Sequence, residues 1–403
     1  MKKSSFLILG SVLSCTFIKG QVSTTFPTQE RVTALMNEAI KISDLPAVVA
    51  VAINSKNQKI TYTFGKAVWT EDTPVTTQHI FRIASMTKMV TSVAALQLVE
   101  KGLIGLDDDL SKLLPEMAMI PILSNGQLSK AKNPITLRHL LTHTAGFGYR
   151  GSTDKELTDF DYTNWSYKDS PRRFESGTQF LYGSSTYWAG KLVEKISGMD
   201  LESYFRKNIT GPLGMNRTWF NVPDSLKHYI VSTGSRGADG KQPLIESPDR
   251  IPSTLVTDFR GDGGLYATPE DYTRLLECLL AYGKVKKTRI LKKSTILEMN
   301  KNQIGTIRMD NPNAFYNPGG CCNLNGITSP TTSWGLAWLI DNEDKPYGRR
   351  AGTVLWGGAR NTYYYLDFKS GIAASIYTQH VPFNHPATTG LFERFSEIIY
   401  AGK

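Results

Sequence analysis

The sequence predicts an α+β fold: a mostly antiparallel sheet assembled from both ends of the 403-residue chain, with a largely helical segment inserted between them. Three observations lead there. Short strand-like apolar runs gather near residues 47–64 and again at 333–377, so one sheet needs both ends of the chain. The stretch from about 105 to 300 instead carries helix starts, helix stops and polar loops. Amphipathic patterns flank the strand-rich ends, Thr28 to Ser43 before them and Thr389 to Tyr400 after.

In chain order, Val32, Leu35, Met36 and Ile40 give the first helix one apolar face. Ala47 to Ile53 and Lys59 to Phe64 then read as strands joined through the turn residues Asn54-Ser55-Lys56-Asn57. The late strands are Ser333 to Ile340, Thr353 to Trp356, Tyr363 to Phe368 and Ile372 to Tyr377, with Lys369-Ser370-Gly371 as a tight hairpin between the last two. In the middle, Thr268-Pro269-Glu270-Asp271 supplies a cap, a first-turn proline and acids, and a second helix runs from Ser184 to Ser197, closed by Gly198. Gln127 to Asn133 reads as a polar loop. A sheet part (about 21–104 and 301–403) and a helical part (about 105–300) then leave a cleft between them, the natural place for a small-molecule site.

Hydrophobic residues make up 40% of the chain and charged residues 20%, which excludes disordered, collagenous and repeat classes. At the N-terminus, Lys2 and Lys3 precede an apolar run from Phe6 to Leu13 and a small, polar exit to Gly20: residues 1–20 read as a signal peptide, and the protein as exported, periplasmic or secreted. Cleavage there removes three lysines and no acid, taking the net charge from +10 to +7. No dense Lys/Arg run accompanies it, so nucleic acid is not an expected partner. The apolar run is too short to span a bilayer. Val12-Leu13-Ser14-Cys15 loosely resembles a lipobox, which makes a lipid anchor at Cys15 the alternative to simple cleavage. Cys278 sits in an apolar stretch and reads as core; Cys321 and Cys322, in a Gly/Asn/Pro loop, lack the spaced partners of a zinc site and read as structural or incidental.

The chemistry-bearing residues begin with Ser85-Met86-Thr87-Lys88, just before the apolar stretch Met89 to Leu98. That stretch is apolar nearly all round and should be a buried helix. Ser85 then sits at its N-terminus, where developing negative charge is favoured, and Lys88 lies one turn on, on the same face. Burial lowers a lysine's proton affinity, so Lys88 can accept a proton near neutral pH. Ser129-Lys130-Ala131-Lys132 has the same spacing but no helix behind it. Tyr182, in the loop before the second helix, is either a packing residue or a hydrogen-bond partner of Ser85 that acts as base, its proton affinity lowered by Lys88. Leu355-Trp356-Gly357-Gly358-Ala359 ends a strand: its glycines mark either close packing or a place for substrate against the backbone, where the N–H groups of Ala359 and Ser85 can hold an oxyanion.

Taken in order, Ser85-x-x-Lys88, Tyr182-x-Ser184 and Trp356-Gly357-Gly358 resemble the motifs of the serine β-lactamases and penicillin-binding proteins. More narrowly they resemble the family VIII carboxylesterases, the esterase-B group related to class C β-lactamases. Phe81-Arg82-Ile83-Ala84, Ile135 to Gly146 and Gly261 to Pro269 extend the likeness over most of the chain. The resemblance implies a β-lactamase/DD-peptidase-like fold and a cofactor-free serine hydrolase with Ser85, Lys88 and Tyr182 catalytic. It places Ser184, Trp356, Gly357, Gly358 and Ala359 at the substrate. Two departures stand out. Ser184 replaces a frequent Asn, and Trp356-Gly357 stands where β-lactam-active relatives carry a cation and a hydroxyl for the substrate carboxylate. Hydrolysis of a small-molecule ester through an acyl-Ser85 intermediate is therefore the expected reaction. A β-lactamase or D-Ala-D-Ala-type peptidase, an acyltransferase to an alcohol and a non-catalytic wall-binding module are the alternatives. His139 and His143 stand four apart but without the acid of a metal motif, so no metal is expected. His380 and His385 read as surface residues, and Arg360 as either a salt-bridge partner or a contact for an anionic substrate.

Overall fold

A computed structural model describes residues 25–237, 240–309, 324 and 326–402. The signal-peptide stretch 1–20 with Cys15, and the pair Cys321 and Cys322, lie outside the described residues. The chain has an α+β fold with an antiparallel sheet from both chain ends. Its main sheet uses β1 (Ala47–Asn54), β2 (Lys59–Gly65), β3 (Ser333–Trp334), β4 (Leu339–Asp341), β5 (Thr353–Gly358), β6 (Thr362–Asp367) and β7 (Ile372–Tyr377). The spatial order is β3-β4-β5-β6-β7-β1-β2, with every neighbouring pair antiparallel. The two ends meet at the β1–β7 ladder, where Val49 faces Tyr377.

Helices cover both faces of this sheet. α1 (Gln29–Ile40) is capped by Thr28, whose hydroxyl accepts from the Arg31 N–H, and it packs with the last helix, α5 (Pro386–Tyr400). α2 (Thr87–Glu100) and α3 (Ser185–Ser197, with Gly198 at φ +68°) pack against each other. α4 (Pro269–Leu280), capped by Thr268, lies against β1 and β7. Successive strand residues face opposite ways. Tyr364 meets Tyr272 of α4 and Tyr365 meets Phe392 of α5, which puts these two helices on opposite faces. Every residue of β1 is buried, as a central strand covered on both sides requires. Within the helical stretch 105–300, α4 packs directly on the sheet.

Three local expectations fail for physical reasons. Ser333 to Ile340 is a hairpin, β3–β4, rather than one strand: Gly335 passes so close to the Met299 carbonyl that a Cβ would lie 2.0 Å from it. Gln127 to Asn133 is only partly loop, since Gln127–Ser129 pairs with Ile122–Ser124 in an exposed hairpin. His380 is fully buried, its Nε2 2.9 Å from the Thr388 hydroxyl, and His385 caps α5 through Nδ1. Cys278 is buried, and that burial pushes its thiol up to about 11.

Candidate active site

Ser85 lies in the single turn Ala84–Met86 that leads into α2. Three constraints fix that turn. Phe81–Arg82 forms a short ladder with Tyr266–Ala267, the Tyr272 hydroxyl donates to the Met86 carbonyl at 3.0 Å, and the Thr87 hydroxyl accepts from the Leu265 N–H at 3.1 Å. Ala84 adopts φ +44°, a left-handed conformation that costs an L-residue roughly 1–2 kcal/mol and persists because its neighbours are tied down. β5 presses on the same turn from the other side. A Cβ at Gly358 would sit 2.3 Å from the Ile83 carbonyl, so only glycine lets the strand approach this closely.

Lys88 is 2% exposed, and its ammonium nitrogen lies 3.2 Å from Ser85 Oγ, 3.0 Å from the Tyr149 hydroxyl and 2.7 Å from the Asp262 backbone carbonyl. α2 is buried from Thr87 to Leu98, so the lysine stands among covered side chains with little contact with water. Burial, opposed by the Asp262 carboxylate and aided by Arg260, brings it down from 10.5 to about 7. The 261–263 segment is held against α2 by the Thr91 hydroxyl, which donates to the Gly261 carbonyl at 2.7 Å.

Tyr182 is buried under Lys88, whose nitrogen stands 4.6 Å from the ring centre, and its hydroxyl accepts from Trp356 Nε1 at 3.0 Å. Its acidity runs opposite to the sequence expectation. Full burial makes a phenolate expensive and raises Tyr182 well above the ordinary tyrosine value, despite hydrogen bonds from Ser85 and Trp356 that favour the anion. Of the two groups, Lys88 is the one poised to accept a proton at neutral pH, and Tyr182 is a hydroxyl able to pass one.

Sequence reasoning missed four residues here. Tyr149 bridges Lys88 and Asp262, its hydroxyl donating to Asp262 Oδ2 at 2.7 Å. The buried Asp262 carboxylate is balanced by Arg260, at 2.9 Å. His143, buried and at φ +56°, stacks 4.5 Å from the Tyr182 ring and accepts from the Gly183 N–H through Nδ1 at 3.3 Å. Burial and the nearby Lys88 hold it well below the usual histidine range, hence neutral. Of this group only Asp262 and His143 lay in family-like stretches; spacing drew attention to His143 only as a metal-ligand candidate beside His139, and to none of the others.

The predicted substrate-side residues divide. Ala359, Gly357 and Trp356 line a small cleft together with Ser85, Tyr182, Leu324 and Phe383. Trp356 is 3% exposed and wedged between Tyr182 and Trp334, so it serves Tyr182 more than it offers an apolar wall. Gly358 faces the Ile83 carbonyl. Ser184 points elsewhere: its hydroxyl donates to Asp169 Oδ2 at 2.6 Å, an oxygen that also accepts from Trp188 Nε1. Ser129 is exposed in its hairpin, and His139 forms a capping box with Thr136.

Two larger cavities adjoin the cleft. One, of about 370 Å³, lies between β5, β6 and α5 and shares Trp356, Gly357 and Phe383 with it. The other, of about 320 Å³, reaches Ala84 and Gly263 beside the nucleophile.

Comparison with known proteins adds the following. Residues 38–395 match the model of the family described as Beta-lactamase. Monacolin J acid methylbutanoyltransferase of Aspergillus terreus is 29% identical over 402 residues, covering 90% of this chain and 94% of its own length. Lovastatin esterase of Penicillium rubens is 28% identical, covering 82% and 87%. Unliganded simvastatin synthase from Aspergillus terreus superposes with a TM-score of 0.77 at 26% identity, over 92% of this chain and 98% of that one.

Proposed function

The chain belongs to the beta-lactamase family, and from that premise we propose that it transfers an acyl group through an acyl-Ser85 intermediate to an alcohol acceptor, and to water when no alcohol is bound. The observation that carries this reading is the buried Lys88 amine, near neutrality in its proton affinity and 3.2 Å from Ser85 Oγ. The free amine takes the serine proton as Oγ attacks the ester carbonyl. The N–H groups of Ser85 and Ala359 face the developing oxyanion. The leaving alkoxide collects the proton through Tyr182 and Lys88; the acceptor hydroxyl then gives its proton to Lys88 as its oxygen attacks the acyl carbonyl, and the departing Ser85 Oγ takes that proton back as the new ester leaves. Tyr149 and Asp262 keep the lysine oriented.

An alcohol acceptor, rather than water as the sequence suggested, is supported by two things. Two cavities of about 370 and 320 Å³ lie beside the cleft, one sharing Trp356, Gly357 and Phe383 with it and the other lined by Ala84 and Arg360, next to Ser85 and Ala359 in sequence, which favours separate places for a donor and an acceptor. The relative from Aspergillus terreus that aligns over 94% of its length is named as a methylbutanoyltransferase acting on monacolin J acid. Hydrolysis is the second reading, favoured by the likeness to lovastatin esterase. A β-lactam has less support, because Trp356 is turned onto Tyr182 and Gly357 offers no hydroxyl. Export of the mature chain rests on the pattern of residues 1–20 alone.

The test is incubation with p-nitrophenyl butyrate and increasing 1-butanol. Intact-mass analysis should show a butyryl adduct on wild type and on Ser129→Ala but not on Ser85→Ala. The butyl ester should outgrow butyric acid well beyond the ratio of the acceptors in solution. Product partitioning that merely follows that ratio would reduce the protein to a hydrolase, and an adduct retained in Ser85→Ala would remove the nucleophile assignment. p-Nitrophenyl butyrate should also surpass nitrocefin in kcat/KM. N-terminal sequencing of the protein from its native host should begin near Gln21; an intact Met1 would refute export by cleavage.

A further inference from the structure

We propose that the groove beside Ala84 is an anion subsite, in which Arg82 and Arg360 together hold a carboxylate carried by the substrate. The inference rests on the acyl-Ser85 reading and names the kind of substrate that reading leaves open. Arg82 stands three residues before the nucleophile, on the strand Phe81–Arg82, and Arg360 directly follows Ala359. Both line the groove of about 320 Å³ that reaches Ala84 and Gly263.

Several other guanidiniums of the chain meet carboxylates: Arg236 with Asp44, Arg173 with Asp154, Arg138 with Asp107. Among the described residues no carboxylate pairs with Arg82 or Arg360. Arg82 Nε is buried without a hydrogen-bond partner; its Nη2 donates to the Asp249 backbone carbonyl at 3.4 Å, and its guanidinium lies 5.4 Å from the Tyr266 ring centre and bonds that side chain, a neutral partner. The two cations repel each other: burial, then Arg82, lowers the proton affinity of Arg360, with Tyr266 opposing. Lys227, the third cation on the groove, is already engaged by Asp224 at 2.7 Å. Two like charges in a concave, partly dry site are destabilising unless a ligand brings the counter-charge. A guanidinium fork fits the two oxygens of a carboxylate.

The remaining walls define the rest of the ligand. Leu255 and Val256 border the groove while 74% and 42% exposed, and Phe220 and Leu265 lie deeper. Apolar side chains left open to water beside paired arginines suit an amphiphile: an alkyl or ring body carrying one carboxylate, several bonds away from the ester. That carboxylate can belong to the acyl half or to the alcohol half.

Two matched pairs separate these sources. For the acyl half, kcat/KM is compared between p-nitrophenyl hemiglutarate and its methyl ester. For the alcohol half, transfer from p-nitrophenyl acetate is compared between 3-hydroxybutyrate and its methyl ester as acceptors. In one pair the wild type should favour the anion by about ten- to a hundredfold. Arg360→Gln and Arg82→Gln should each cut that preference roughly tenfold, and Arg360→Glu should abolish it. Calorimetric titration of Ser85→Ala with glutarate and with 3-hydroxybutyrate reads the subsite without turnover, and binding of one of them should be lost with Arg360→Gln added. No anion preference in either pair, or a preference that both Gln variants retain, overturns the subsite. If instead wild type forms no acyl adduct while the anion still binds Ser85→Ala through Arg360, the acyl-transfer reading fails and the subsite stands.

Discussion

The proton affinity of Lys88 can be perturbed and read directly. An ordinary lysine at pH 7.5 is the free amine about a thousandth of the time; one at about 7 is free roughly three quarters of the time. Burial therefore raises the concentration of competent base by nearly three orders of magnitude. The fall from 10.5 to about 7 amounts to roughly 5 kcal/mol of lost preference for the ammonium. The plot of log kcat/KM for p-nitrophenyl butyrate should rise with unit slope below pH 7 and level off above it. Asp262→Asn removes the carboxylate that props up the ammonium, so the break should move to lower pH. Stability should follow the same group. The unfolded lysine binds a proton that the folded one releases between about pH 7 and 10.5, so this site's contribution to stability improves as pH rises through that window and is at its least favourable below it. Urea melts of wild type and Lys88→Met at pH 6.5 and 9 isolate it: the gap between the two proteins should shift by a few kcal/mol in favour of wild type at the higher pH. A profile flat from pH 6 to 8, or one breaking only above 9, would refute a buried, desolvated base.

Three further outcomes follow from contacts already described. Trp356→Phe removes the indole that donates to Tyr182 and should lower kcat by about three- to tenfold, the worth of one neutral hydrogen bond, with little change in melting temperature. Gly358→Ala forces a Cβ toward the Ile83 carbonyl; displacing the Ser85 turn by even part of an ångström should cost about a hundredfold in kcat/KM, measured on the same ester. Ser184→Ala should leave acyl-adduct formation nearly intact but lower the melting temperature, because it strips a hydrogen bond from the buried Asp169 carboxylate.

How much of this was legible in the sequence depended on whether the signal was local. α2 could be read because residues Thr87 to Leu98 are all buried, a pattern no surface helix has, and that placed Lys88 beside Ser85. Most late strands were legible as alternating or continuous apolar runs. The broken strand at Gly335 was not, since its cause is the carbonyl of Met299, at a helix end far earlier in the chain. Tyr149, Arg260 and Asp262 converge on Lys88 only through tertiary packing, and nothing in their neighbours announces it. Ser184 illustrates the opposite hazard: a motif position can be kept while its hydroxyl is turned to Asp169. The pair Arg82 and Arg360 was half visible, as one arginine after the glycines. Its meaning lies in the absence of a carboxylate partner among the described residues, which only geometry reveals.

The ladder between Val49 and Tyr377 makes the protein's two ends interdependent in time as well as space. A ribosome delivers Ser85 and Lys88 early, yet Gly358, Ala359 and the strand that seats them arrive only near the end of synthesis. The central sheet must close a loop of most of the chain before either half has a covered face, and pairings of such high sequence separation form slowly. A nascent or truncated chain therefore carries the nucleophile without the pocket. Activity should switch on only after release, and any partner or compartment that keeps the last strands from docking would hold the enzyme silent while leaving its catalytic residues untouched.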